Sequence, residues 1–231
     1  DAATTITVKL SGLSLVSGTA AGPGAGIYNK EDLTLEYCTL ADNRATHGRA
    51  IVSYGMLSVV NSTISGNFTS DYSGGGIYNM ATGMLSVVNS TIAGNSAVAF
   101  GGGIFNYGVL SVSSSTIVLN TADLNNSGTM DGGGIATYTD GSTTLHITIV
   151  AGNLRGTAAP LANDLSGNPV VSGSSHNLIG NAASSGGLLH GVSGNLVGVD
   201  PLLDPAGLQY HGGPTRTIAL LPSSPAIDAG S

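Results

Sequence analysis

Charge is scarce in this 231-residue chain: 8% of residues are Asp, Glu, Lys or Arg, against about 25% in ordinary soluble domains. The six basic residues (Lys9, Lys30, Arg44, Arg49, Arg155, Arg216) are scattered and cannot form a stripe that tracks phosphates, which argues against nucleic-acid binding. No unbroken apolar run approaches the roughly 18–20 residues that a membrane helix needs. Cys38 stands alone, so no intrachain disulfide is available, and on its apolar pattern it reads as a small core residue. No segment sustains a 3.6-residue period between helix caps, which disfavours helical solenoids. Disorder does not fit either, because 41% of the residues are hydrophobic and mean hydropathy is +0.27. With 13 acids and a formal charge of −7, most surface polarity must come from Ser, Thr, Asn and Gly. The Asp1-Ala2-Ala3 start suits a processed mature terminus.

Glycine (36 residues) and an internal repeat are plentiful. Ser-Val-Val-Asn-Ser-Thr-Ile occurs at 58–64 and again at 86–92, with a looser copy at 111–117. A Gly-Ile step precedes each copy, at Gly26-Ile27, Gly76-Ile77, Gly103-Ile104 and Gly134-Ile135, with Ala50-Ile51 as a variant. An Asn closes each unit: Asn43, Asn67, Asn95, Asn120, Asn153 and, by extension, Asn181. The unit is about 25 residues long and reads as three short strands separated by turns, such as 76–79, 85–87 and 90–93. One such unit cannot bury its own core, but stacked units can, so the expectation is an all-β, right-handed, single-stranded parallel β-helix. Residues 1–25 would form an N-terminal coil, 26–181 the repeat coils and 182–231 an irregular capping segment of one domain.

Three inward ladders follow from the period of two. The first is Ile27, Ile51, Ile77, Ile104 and Ile135. The second is Leu35, Val59, Val87 and Val112, and the third is Leu40, Ile64, Ile92, Ile117 and Ile149. Asn61 and Asn89 take matching turn positions where stacked amides bond one another, although each also begins a glycosylation sequon. Loops of varying length between the closing Asn and the next Gly-Ile gather at one corner, where a binding surface is expected.

Toward the C-terminus come Gly212-Gly213-Pro214-Thr215, Ala219-Leu220-Leu221-Pro222 and Ser224-Pro225-Ala226-Ile227-Asp228-Ala229-Gly230. This string resembles that of the choice-of-anchor Q family of exported bacterial β-helix proteins. The Gly-Gly-Gly-Ile and Ile-x-Gly-Asn repeats are also similar to those of polymorphic outer-membrane proteins and autotransporter passengers. The resemblance implies export and display at the cell surface or outside the cell.

Catalysis is the rival reading, since hydrolysis of a glycosidic bond needs two carboxylates at a set separation and lyases need a carboxylate-held cation and a base. The acids are scattered. Asp71, Asp123, Asp131 and Asp140 lie beside Gly, Ser or Asn and read as turn formers, with an Asp71–Asp131 cluster as the residual catalytic option. His47, His146, His176, His190 and His211 show no ligand spacing. The Gly runs lack the Asp of calcium-binding nonapeptides and the Lys of phosphate-binding loops, so neither metal nor cofactor is expected.

Two outward columns carry aromatic rings: Tyr28, Tyr78 and Phe105 beside the first ladder, then Tyr54, Tyr107 and Tyr138 two or three positions on. Exposed rings grip sugars or another protein wall; loops folded over them give the same pattern. Thr39, Thr63, Thr91, Thr116 and Thr148 form an outward Thr file, but no second file accompanies it, which disfavours ice binding. A β-helix also presents open strand edges at its ends, which recruit other chains. The expected function is therefore a non-enzymatic extracellular or cell-surface structural protein, with subunits self-associating end to end into a fibre. The alternatives are a monomeric adhesin binding glycans through these rings and, third, a polysaccharide lyase or hydrolase.

Overall fold

The computed structural model describes residues 5–22, 24–45, 50–128 and 131–230; Thr4, at the start of the expected first strand, and His47 and Arg49 lie outside them. The chain is 41% strand and 3% helix, wound into a parallel β-solenoid of about six turns, successive turns being about 26 residues apart. Sheet 1 stacks Thr7–Ser11, Asp32–Glu36, Met56–Val60, Met84–Val88, Val109–Ser113 and Ser142–His146. Sheet 2 stacks Ser14–Val16, Thr39–Ala41, Thr63–Ser65, Thr91–Ala93, Thr116–Val118, Ile149–Ala151, Leu178–Ile179 and Leu196–Val197. Sheet 4 stacks Ile27–Asn29, Ile51–Ser53, Ile77–Asn79, Ile104–Asn106, Ile135–Thr137 and Leu165–Gly167. These are the three strands per coil that the repeat implies. The structure adds a fourth of two residues, too short to alternate visibly: sheet 3 runs from Thr19–Ala20 through Arg44–Ala45, Phe68–Thr69, Ser96–Ala97 and Thr121–Ala122 to Leu154–Arg155.

The first ladder stacks in register as expected, Ile27 on Ile51, Ile77, Ile104 and Ile135. The last four of these are at most 1% exposed. Each fully buried Ile or Leu contributes about 1.5–3 kcal/mol, so repetition rather than any one coil stabilises the column. The second ladder holds too, and Leu145 extends it above Val112. The third needs a correction of one residue: Val150 stacks on Ile117, and Ile149 stacks outside on Thr116. Consequently Thr148 leaves the outward Thr file. It is buried, and its amide donates to Asn177 Oδ1 in the serine file Cys38, Ser62, Ser90, Ser115. Cys38 is fully buried there, in the place that serine takes in later coils.

Between sheets 2 and 3 the Asn file is buried and fully bonded. Each Nδ2 of Asn43, Asn67, Asn95 and Asn120 donates to Oδ1 of the next Asn at 2.8–2.9 Å and to a backbone carbonyl at 3.0 Å. An orphaned polar group here would cost about 1–3 kcal/mol, which is why the pattern admits no apolar rung. The sixth rung is Asp164 rather than Asn181, whose backbone N–H instead donates to the Asp164 carboxylate. Half-buried Asn61 and exposed Asn89 pair as expected, Nδ2 of Asn89 donating to Oδ1 of Asn61 at 2.6 Å, both at positive φ.

The C-terminal segment departs most from expectation. Residues 168–195 close the end of the solenoid: Val171 and Ser175 donate to Thr143 and Leu145 carbonyls, and Leu188 is buried against the main core. An antiparallel strand, Leu161–Ala162, ends sheet 3. Residues 199–230 then run back outside sheet 2 as a strap. Its Ile218, Leu203 and Leu208 pack on Ala93, Val118, Ala151 and Leu178. Thr215 Oγ1 donates to Asn61 O at 3.0 Å, and Thr63 Oγ1 donates to Arg216 O at 2.6 Å. The strap therefore buries Thr63 and Thr91, so the Thr file is not a free surface there. At the opposite end Ile6, Val8 and Leu13 are exposed, and the strands of the first coil are paired on one side only among the described residues.

Candidate binding face

In the sheet 4 strands up to Ile135–Thr137 the first and third residues point inward and the second outward. The third is a buried polar side chain tied to the next turn. Asn79 Nδ2 donates to Asn106 Oδ1 at 2.8 Å and to the Gly83 and Val109 carbonyls, and Asn106 Nδ2 donates to Ser142 O at 2.9 Å. Asn29 makes the equivalent bonds to Ser53 Oγ and Met56 O. These ties hold the following residue on the outer shoulder of the turn. Tyr54, Tyr107 and Tyr138 occupy it, their amides donating to the carbonyls of Asn29, Asn79 and Asn106 at 2.9 Å. Gly must follow at 108, because a Cβ there would collide with the Gly83 carbonyl oxygen.

The two expected aromatic columns thus meet on one face. Tyr28 and Tyr54 form a pair, with ring centroids 5.6 Å apart and planes at 55°. Tyr78, Phe105, Tyr107 and Tyr138 form a continuous cluster. Its centroid separations are 5.1 Å for Tyr78–Phe105, 5.9 Å for Tyr78–Tyr107 and 5.4 Å for Tyr107–Tyr138, the last edge to face at 71°. Tyr28, Tyr54 and Tyr138 are exposed, and Tyr78 and Tyr107 are half-buried. Burial raises the Tyr107 hydroxyl pKa, with a smaller push from Tyr138, so the hydroxyl stays protonated.

Phe105 is a correction: it is 4% exposed and cannot contact a ligand. Phe100, from the loop between Asn95 and Gly103, stacks on it at 5.8 Å and 13°. The sequence marks Phe100 as part of the face only by placing a large apolar residue in a loop of small ones. Cover and contact therefore coexist, with Phe100 and Phe105 as the floor and the tyrosines as the rim. Lys30 Nζ sits 5.5 Å from the Tyr28 ring centre.

The acids fall elsewhere or are taken up. Asp131 accepts from Arg155 Nη1 at 2.6 Å, and Asp123 accepts from Ser127 N and Gly128 N, the turn role expected of it. Asp71 is exposed in its loop. His146 shares a hydrogen bond with Ser175 Oγ on the outer wall. Among the described residues no group of three or more His, Cys, Asp or Glu could hold a metal ion. A concavity of about 360 Å³ lies on sheet 1, where Met56, Met84 and Val109 stack half-exposed. No helix of the described residues is long and apolar enough to cross a membrane.

By fold the chain is a parallel β-helix repeat protein. No family model, curated protein or solved structure matches it.

Proposed function

We propose that this chain is a non-catalytic, exported β-helix scaffold that binds glycans through the tyrosines of sheet 4. The observation that carries the reading is the rim of Tyr28, Tyr54, Tyr78, Tyr107 and Tyr138 over a packed aromatic floor. Each ring offers an apolar face and a hydroxyl, the combination that suits a sugar's C–H face and its hydroxyls. The rigid ladder beneath means that little conformational entropy is lost on binding. A non-catalytic role is supported by Asp131 and Asp123, whose carboxylates are engaged by their own neighbours. Export rests on the C-terminal string and its resemblance to surface-displayed families.

The test is a glycan array probed with the folded chain, followed by Tyr78→Ala, Tyr107→Ala combined. A drop in affinity of at least about fivefold is expected, from two lost ring contacts of about 0.5–1.5 kcal/mol each. Unchanged binding by a variant with an unchanged circular dichroism spectrum removes the reading.

End-on self-association is a second reading, favoured by the first coil's exposed Ile6, Val8 and Leu13 and its one-sided pairing. Because residues 168–195 pack over much of the other end and leave only short terminal strands there, such as Leu196–Val197, such contact joins two chains head to head rather than building a fibre. Sedimentation analysis separates these: dimers support it, and filaments or monomers at high concentration count against it.

A further inference from the structure

Five successive coils each place one tyrosine at the surface of the same face: Tyr28, Tyr54, Tyr78, Tyr107 and Tyr138. Where the separations join adjacent coils they are 5.6, 5.9 and 5.4 Å, set by a strand step of about 4.8 Å. Adjacent planes meet at 55°, 45° and 71°, so neighbouring rings cannot lie flat on one another. At least one of each pair tips its face away from the stack. The face is also nearly free of charge. Its outward strand positions are Tyr28, Val52, Tyr78, Phe105, Ala136 and Ser166, and the shoulder file is Lys30, Tyr54, Met80, Tyr107 and Tyr138. A polyanion lying here would meet one cation, Lys30, at one end.

We infer that the ligand is an uncharged, linear, β-linked polysaccharide lying parallel to the solenoid axis, with about one sugar ring per coil. This rests on the glycan-binding reading above and adds the ligand's charge, shape and direction. An extended β-(1→4)-linked pyranose chain advances by a step comparable to that of the coils, so one ring over each tyrosine keeps register along the face. A chain crossing the face would meet one or two rings and gain nothing from further units. Branched or strongly bent glycans lose register after the second coil. The ladder makes the site multivalent within one rigid body, so each added sugar binds at no further cost in overall translation.

Calorimetric titration of the full chain with cello-oligosaccharides and chito-oligosaccharides of one to six units tests this, with polygalacturonate as the charged comparison. Affinity for at least one neutral series should rise by about two- to tenfold per sugar up to five units and then level off. Tyr138→Ala and Tyr28→Ala should each remove the last increment, because they shorten the row at opposite ends. A plateau at one or two units, or tighter binding of polygalacturonate, overturns the axial neutral ligand while leaving glycan binding itself intact. No binding to any glycan, neutral or charged, on the array or in titration, overturns both. Dimerisation that Tyr107→Ala abolishes assigns the face to a second copy and overturns it as well.

Discussion

Asn153 donates twice to a single oxygen of Asp164: its backbone N–H at 3.1 Å and its side-chain Nδ2 at 3.0 Å both reach Oδ1. The other oxygen, Oδ2, accepts from the Asn181 N–H at 2.8 Å. Every earlier rung is an amide that accepts on one side and donates on the other. Here both sides present donors, so the rung needs an accepting oxygen on each side, which an acid side chain has and an amide lacks, and the ladder ends in Asp.

Asp164→Asn should therefore cost about 1–3 kcal/mol, since one amide N–H must face a donor whichever way the side chain turns. The pH dependence gives a second readout. Burial raises the Asp164 pKa, against the opposing hydrogen bonds from Asn153, Asn181 and Gly180. A raised folded-state pKa means that the folded chain binds more protons than the unfolded one. This contribution is full below the unfolded pKa and is lost as pH rises through the folded one. The stability gap between the native chain and Asp164→Asn should accordingly be widest in acid and narrow toward neutrality. Urea unfolding at several pH values measures it, and the other carboxylates cancel in the difference.

Asn95 is the middle of the same ladder and is fully buried. Its Oδ1 accepts from Asn67 N and Nδ2, and its Nδ2 serves Ile64 O and Asn120 Oδ1. Asn95→Ala strands several of these at once and should cost about 3–5 kcal/mol. Asn89→Gly removes only an exposed amide pair at a positive-φ position and should stay within about 0.5 kcal/mol. Equal losses at the two sites, in parallel denaturant titrations, would contradict the assignment of stability to the buried file.

How far this was legible from residues alone follows from what each device repeats. The Ile ladder and the outward tyrosines obey a period of two in every coil, so both could be placed without coordinates. At 147–151 the sequence misleads because Thr148-Ile149 looks like Thr116-Ile117. The wall, however, counts residues from the preceding strand, and Leu145 over Val112 puts Val150 over Ile117. Asp164 is hidden in the sequence pattern because a carboxylate does an amide's accepting work under another letter. Phe100 and the strap carry no period at all: one covers Phe105 from a loop, and the other lies across rungs rather than joining them.

Leu119 tests the turn between sheets 2 and 3. Its file is Ser17, Asp42, Gly66, Gly94, Leu119 and Gly152, all with φ between 56° and 66°. A Leu in this left-handed region costs about 1–2 kcal/mol, and its side chain is 54% exposed, so it recovers little by packing. Leu119→Gly should stabilise by about 0.5–1 kcal/mol after the entropy of a freer unfolded chain is deducted. Gly94→Leu, with open space around its Cβ position, should destabilise by about 1–2 kcal/mol. Calorimetric Tm values of opposite sign check the pair, and a loss in Leu119→Gly would mean that contact with the strap outweighs backbone strain.

The strap supplies the last prediction. Ile218 is its best-buried aliphatic side chain, 9% exposed, seated on a sheet 2 surface that includes Ala93, Val118, Ala151 and Leu178. Beyond that cluster it is fastened near its tip by Thr215 to Asn61 and by Thr63 to Arg216. Those two bonds contribute about 0.5–1.5 kcal/mol each, less than the burial of one large aliphatic and its cavity term together, so Ile218 should decide whether the strap stays down. Ile218→Asp places an unpaired carboxylate in that contact and should release the strap while the coil ladders, which do not use it, remain wound. Limited proteolysis is expected to cut within 203–220 in the variant and to leave a resistant body, with hydrogen exchange rising at the strap amides of Thr217 and Leu221 but not at Thr63 and Thr91, whose N–H groups stay in the coil ladder. Body and strap lost together at the same protease concentration would instead make the strap part of one cooperative unit with the solenoid.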